Sequence, residues 1–213
     1  MSQIHNFVFS PFMENTYVVA DDDGQCVVID PGCYEEAEFE QLQTLLREKE
    51  FSPARLLNTH CHLDHIFGNR AVQDQYGLPL EAHAGEQDNL KNAREYGLMF
   101  GIPDVQSPMP GRWIEEGETI ALGQLSFKVL FAPGHSPGHV CFWNEAENYI
   151  IGGDVLFRQG IGRTDLPGGN HQQLLESIHQ VLFQLPDDCT VYAGHGPTTT
   201  IGYEKRYNPF LAA

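Results

Sequence analysis

The heptapeptide Thr59–His65, THCHLDH, carries four metal-ligating side chains, His60, His62, Asp64 and His65, directly after the short apolar segment Leu56-Leu57. The pattern constrains the fold because an apolar strand must end where the donors begin. Imidazole nitrogen mixed with carboxylate oxygen is a donor set that zinc, iron or manganese accepts. Asp64 and His65 are adjacent, so they cannot both reach the ion that takes His60 and His62 without severe strain, and the run itself points to two metals. The competing explanation is a polar loop rich in histidine by chance, but solvated turns draw on Gly, Pro, Asn, Asp and Ser instead.

Three further donors recur in the same setting. His135 follows FKVLFAPG, Asp154 follows YIIGG and His195 follows TVYAG, just as His60 follows LLNT. Each is the first donor-bearing residue past a strand-like apolar run, and the last three are flanked by glycine, which permits close backbone approach. Taken singly, either histidine has a structural reading and Asp154 reads as a turn or capping carboxylate. Taken with THCHLDH, they predict four strands delivering donors to one rim. Seven donors make two sites: His60, His62 and His135 for one metal, Asp64, His65 and His195 for the other, with Asp154 able to bridge. Such sites keep an open position for water at each ion.

Along the chain, TYVVA (16–20) and QCVVID (25–30) flank a polar turn and read as a hairpin. Residues 35–49 gather Ala37, Leu42, Leu45 and Leu46 near one face, a surface helix. The segment ARLLNT reads as a strand, 66–76 as a helix ended by Gly77 and Pro79, PLEAH as a strand, and 85–101 as helical. Strands follow around 119–122, 125–132, 139–144 and 148–152, then a helix at 171–184 and the strand TVYAG. No repeat or linker divides the 213 residues. Two successive halves, each with a β-rich part, predict two sheets face to face with helices outside, against a doubly wound sheet as the competing architecture.

The net charge of −17 with 12 Lys and Arg residues disfavours nucleic acid, whose phosphates need clustered cations. Five cysteines, an odd number without a Cys-x-x-Cys pair, argue against a disulfide framework and a four-thiolate zinc site. No apolar run is long enough to span a bilayer. The first residues lack the basic region and cleavage site of a secretory signal, so a cytoplasmic location is expected.

With THCHLDH, PGHSPGH, GGDVLF and GHGP in this order, the chain resembles the metallo-β-lactamase fold hydrolases, in particular their short glyoxalase-II-like branch. NTYVVADDDGQCVVIDPG, IGRTD and TTTIGYEKRYNPF extend the resemblance over essentially the whole sequence. It implies a four-layer αβ/βα sandwich of two mixed β-sheets with helices on the outer faces, and a dinuclear centre on one edge held by the two triads above with Asp154 as the bridge. Asp64 and Asp154 form the expected catalytic set, and two divalent ions, zinc first with iron or manganese as alternatives, the expected cofactors. The implied domain is a single one over 1–213, without the C-terminal helical domain that holds much of the glutathione in full-length glyoxalase II.

Water shared by two dications loses its proton near neutral pH, which supplies a nucleophile without a separate base. The expected reaction is hydrolysis of a small-molecule thioester, S-lactoylglutathione or a related S-acyl thiol. The alternatives are a mononuclear iron persulfide dioxygenase, a relative with similar motifs, and a lactonase or β-lactamase at the same centre. A metal-binding protein without turnover is the reading from another class. Around the ligands, Asp30 either accepts an imidazole N–H or only ends its strand. His139 is read as structural or orienting, Arg163 and Asp165 as a pair that holds their loop, and Lys205 and Arg206 as a solvated basic pair. Cys61 alternates with His60 and His62 and is expected to point away from them.

Overall fold

Every position of the strand Glu14–Ala20 is buried, and its run of β-branched residues explains why: such side chains fit a pleated surface covered on both faces. The computed structural model describes residues 1–211, and the last two positions of the expected 1–213 domain lie outside the described residues. The chain divides into two compact units, Met1–Ile114 with Ala121–Leu125, and Glu115–Ile120 with the residues from Ser126 onward.

The first unit contains, in order, β1 (Gln3–Phe9), β2 (Glu14–Ala20), β3 (Gln25–Ile29), α1 (Glu36–Glu48), β4 (Ser52–Leu57), α2 (Leu63–Ile66), α3 (Asn69–Tyr76), β5 (Leu80–His83), α4 (Gln87–Met99) and β6 (Arg112–Ile114). Its sheet has the order β1-β2-β3-β4-β5-β6. The expected hairpin forms as β2 and β3, and β1 joins it antiparallel. From β3 onward the pairings are parallel. Val18, Val28, Leu42, Leu56, Ile66 and Leu80 are fully buried in its core. Two features depart from expectation. The strands β1 and β6 have no counterpart in the sequence reading, and the helix expected over 66–76 starts only at Asn69, after a separate one-turn helix that ends at Ile66. The break is tertiary: Gly68 donates its N–H to the Pro31 carbonyl at 2.7 Å, and a Cβ there would stand 2.2 Å from the Cys33 Sγ.

The second unit begins with the first half of β7 (Thr119–Leu122) and continues with β8 (Leu125–Phe131), β9 (Val140–Asn144), β10 (Tyr149–Gly153), β11 (Leu156–Phe157), β12 (Gly160–Ile161), α5 (His171–Gln180), β13 (Thr190–Ala193), β14 (Thr199–Thr200) and α6 (Ile201–Tyr207). The sheet order is β14-β13-β10-β9-β8-β7, with β11 and β12 a separate small hairpin. The strands β10 and β13 are parallel, whereas β8, β9 and β10 run antiparallel in succession. Ile150, Val191, Leu174, Ile178 and Ile201 form the buried core. Among the described residues no helix is long and apolar enough to cross a membrane.

Candidate metal centre

The strands β3 and β4 pair parallel with Ile29 opposite Leu57, so Asp30 and the segment Asn58–His60 leave the sheet side by side. Asp30 takes a left-handed φ of 49°, a conformation aspartate tolerates better than most residues. Its Oδ1 accepts the Thr59 N–H at 2.7 Å and the Asn58 amide at 3.1 Å, and its Oδ2 accepts the Thr59 hydroxyl at 2.6 Å. With three donors on it, the carboxylate faces the His65 Nδ1, 3.1 Å away, as an acceptor too, and Nδ1 there carries the proton. The Thr59 hydroxyl gives its one proton to Asp30, so it accepts from the His60 Nδ1 at 3.1 Å. Both imidazoles are thereby left with Nε2 as the nitrogen that could hold a metal.

The ligand-forming atoms of Asp30, His60 and His65 lie within 4.8 Å of one another. Four hydrogen bonds already occupy Asp30, which makes it the orienting partner of the histidines. The His60 ring lies 4.8 Å from that of His62 and 4.1 Å from that of His65, centroid to centroid. His62 caps α2, whose single turn presents Asp64 and His65, and the Asp64 Oδ2 stands 3.9 Å from the His65 Nε2.

Two carboxylates that the sequence reading passed over support this loop. Glu86, fully buried, accepts the Cys61 N–H and the Asn89 amide, each at 2.8 Å. Glu14, also fully buried, accepts the Thr16 hydroxyl at 2.9 Å, and its Oε1 lies 3.8 Å from the His65 Nδ1. Burial pushes its pKa well above the ordinary carboxylate value, against the pull of His65. The local signals were an acid two positions ahead of the apolar run TYVVA and another at the start of α4.

In the second unit Gly153 of β10 lies opposite Ala193 of β13, so Asp154 and His195 emerge from neighbouring parallel strands. The antiparallel succession of β8, β9 and β10 returns the loop holding His135 to that same edge. The Asp154 Oδ2 stands 3.5 Å from the His135 Nε2 and 3.5 Å from the His195 Nε2. The His135 Nδ1 donates to the Arg163 carbonyl oxygen at 2.8 Å, and the Asp154 N–H donates to the His139 Nε2 at 3.0 Å. His139 is therefore an orienting residue, as expected. Arg163 and Asp165 pair through two hydrogen bonds of 2.7 Å, which hold the Asp165 carboxyl down at about 2.

Behind this loop, buried Glu204 of α6 accepts the Gln159 N–H at 2.9 Å and the Asn208 amide at 2.8 Å, and also the Thr199 hydroxyl. It ties α6 to the β11–β12 hairpin that leads into Gly162 and Arg163.

Other side chains take structural places. Cys61 lies in the apolar core of the first unit, and burial raises its thiol pKa far from the thiolate range. All five cysteines are buried, with no disulfide among the described residues. The His83 Nδ1 accepts the Gly85 N–H, Tyr17 is buried within β2, the Tyr203 hydroxyl accepts from Gln159, and Lys205 pairs with Asp187 at 2.7 Å.

His60, His65 and His135 thus turn Nδ1 toward protein acceptors, and His65, His135 and His195 hold Nε2 beside a carboxylate oxygen. Imidazole and carboxylate donors gathered in this way suit divalent cations. They define the class as an α/β protein with a candidate metal-ligand set at its strand ends. The profile of the Metallo-beta-lactamase superfamily matches residues 10–195, and the chain belongs to that family. It is 38% identical over 203 residues to the hydroxyacylglutathione hydrolase GloC of Haemophilus influenzae, covering 94% of this chain and 93% of that protein. Among solved structures it is similar to the BLEG-1 B3 metallo-beta-lactamase, with a TM-score of 0.90 and 37% identity over 99% of this chain and 100% of the other. It is also similar to TTHA1623 in a di-iron-bound form, with a TM-score of 0.87 and 37% identity over 97% of this chain and 100% of that one. The chain has the expected metallo-β-lactamase fold, of two mixed sheets with helices, which implies divalent metal binding. A relative with two irons leaves zinc as one option among several.

Proposed function

We propose that the donors of the two units together hold two divalent cations, with His60, His62 and His135 at one and Asp64, His65 and His195 at the other. Asp154 is the bridge, and the site hydrolyses a thioester, S-lactoylglutathione or a related S-acyl thiol. The observation that carries this reading is the position of the Asp154 Oδ2 at 3.5 Å from the Nε2 of both His135 and His195, one histidine from each proposed triad. When bound, the cations would acidify a shared water and stabilise charge on a carbonyl oxygen.

The chain's own contribution is placement. Asp30 fixes His65 directly and His60 through Thr59, the Arg163 carbonyl fixes His135, and His139 holds the backbone of Asp154. A thioester suits the site because a thiolate, whose conjugate acid has a pKa of about 8.5, departs without a strong general acid. Similarity to a hydroxyacylglutathione hydrolase supports the same substrate class. The second reading, β-lactam hydrolysis, is favoured by the similarity to BLEG-1.

The test is elemental analysis of protein purified without chelators, paired with kinetics on a thioester, a lactone and a β-lactam. Two metals per chain with thioester turnover is the expected result. One iron per chain with oxygen uptake on a persulfide would overturn it in favour of a dioxygenase. So would metal-replete protein inert toward thioesters.

A further inference from the structure

Asp30 is reached from outside the ligand loop by two buried amides and a hydroxyl. The Asn58 Nδ2 donates to the Asp30 Oδ1 at 3.1 Å and to the main-chain carbonyl of His65 at 2.9 Å. Both partners can only accept, so the two amide hydrogens are spent there and the Asn58 Oδ1 has to accept. Opposite it stands Asn69, the first residue of α3, whose Nδ2 donates to that oxygen at 2.7 Å and to the Ser107 Oγ at 2.9 Å. The Ser107 hydroxyl takes that bond and gives its own proton to the Pro108 carbonyl at 3.3 Å. Neither amide can turn over, because reversing either one sets oxygen against oxygen.

Asn58 and Asn69 are fully buried, and among the described residues the Asn69 Oδ1 has no hydrogen-bond partner. A buried carbonyl oxygen left in that state costs stability that an apolar side chain of similar size would not. What accounts for Asn69 is therefore what its Nδ2 holds. The loop that carries Ser107 is anchored at both ends. The Ile102 N–H donates to the Gly97 carbonyl of α4 at 2.8 Å, and the Gly111 N–H donates to the Leu80 carbonyl of β5 at 2.9 Å. A Cβ at Gly97 would stand 2.6 Å from the Ile102 carbonyl oxygen and 2.7 Å from the Val105 Cγ2, so only glycine lets this loop fold back on α4. Ser107 is thus held by α4 and β5, and the series from it ends at Asp30, which faces the His65 Nδ1 at 3.1 Å.

We propose that Asn69 and Ser107 are positioning residues of the metal centre, which rests on His65 being a ligand as in the reading above. They lock the Asn58 amide, and Asn58 fixes the His65 ring through Asp30 and the His65 main chain directly. His60 is reached only through the other oxygen of Asp30 and the Thr59 hydroxyl, so the effect falls first on His65.

In metal-free protein with its imidazole nitrogens labelled, the His65 Nδ1 proton reports the lock without any turnover. Its exchange with solvent should be about fivefold faster in Asn69→Ala, the equivalent of one hydrogen bond. Ser107→Ala should shift it less and in the same direction, and Ser107→Thr, which keeps the hydroxyl, should match wild type. If Asn69→Ala does not fold, the two Ser107 variants carry the test. Competition with a chelator should then show the cation assigned to Asp64, His65 and His195 bound about tenfold more weakly in Asn69→Ala, with a smaller loss at the other site. Unchanged exchange in these variants would overturn the positioning role. So would faster exchange at unaltered metal affinity, or equal weakening of both sites in step with a fall in the unfolding midpoint. The expected exchange and affinity changes in a protein inert toward thioesters would sustain the role and overturn the thioesterase reading alone.

Discussion

His135 donates from Nδ1 to the backbone carbonyl oxygen of Arg163, 2.8 Å away, so the direction of a proposed ligand is set by the main chain of the loop after β12. Gly162 makes this approach possible, because a Cβ there would stand 2.0 Å from the Asp154 carbonyl and 3.0 Å from the His135 Nδ1. Gly162→Ala should push both ligands out of place. The expected outcome is loss of at least one metal per chain and of nearly all activity, with the helical circular dichroism retained. Full metal content in that variant would remove the steric argument.

Asp30 serves two imidazoles through different routes, and the routes are separable. Thr59→Val keeps the shape of the side chain and removes the hydroxyl between Asp30 and His60. Asp30→Ala removes both supports. Metal affinity should fall by about 10- to 100-fold on loss of such a partner, with the aspartate change the more severe. Titration against a competing chelator measures this, and equal affinities in wild type and Thr59→Val would show that the hydroxyl orients nothing.

Glu204 lies on α6, past the last proposed ligand His195, yet of its three hydrogen bonds the one from the Gln159 N–H anchors the hairpin that leads to Arg163. Glu204→Ala leaves buried donors without their acceptor and should cost about 2 kcal/mol. Glu204→Gln keeps one carbonyl acceptor and should recover part of it. Urea unfolding of the metal-stripped and metal-loaded protein separates the two effects. The loss should be larger with metal bound, since the hairpin also steadies His135.

Burial pushes the thiols of Cys26 and Cys33 up to about 12 from an ordinary value of 9.0. The folded chain therefore keeps protons that the unfolded chain releases above pH 9. Their contribution is whole below pH 9 and declines as pH rises toward 12, by at most about 1.4 kcal/mol per pH unit for each thiol. Asp165 works in the opposite sense. Its hydrogen bonds from Arg163 hold the folded value at about 2 against 3.8, so its contribution is present above pH 3.8 and lost as pH falls toward 2. Urea midpoints between pH 8 and 11 should fall less steeply for Cys33→Ala than for wild type, and parallel curves would refute the assignment.

Much of the centre was legible because metal chemistry restricts residue types: THCHLDH, and the donors after the runs ending at Ala132, Gly153 and Ala193, stand out without knowledge of partners. The ends of β3, β4, β10 and β13 were visible for the same reason that they form, namely β-branched runs stopped by Gly, Pro or a donor. What stayed hidden depends on distant contacts. The edge strand β1 carries polar His5 and Asn6 and is defined by its pairing with β2. The break at Gly68 comes from Pro31 and Cys33, and Glu14 and Glu86 show their use only when His65 and Cys61 arrive beside them. The helix α6 had an available cue that went unread, since Thr200 caps it by accepting the Tyr203 N–H at 3.3 Å.

Asp30 with His60, and Asp154 with His195, issue from the ends of neighbouring parallel strands, so their spacing is inherited from the main-chain ladder. Partners placed by backbone pairing keep their separation when side chains elsewhere are exchanged, so substitutions on the outer faces of either unit should leave each of these pairs in register.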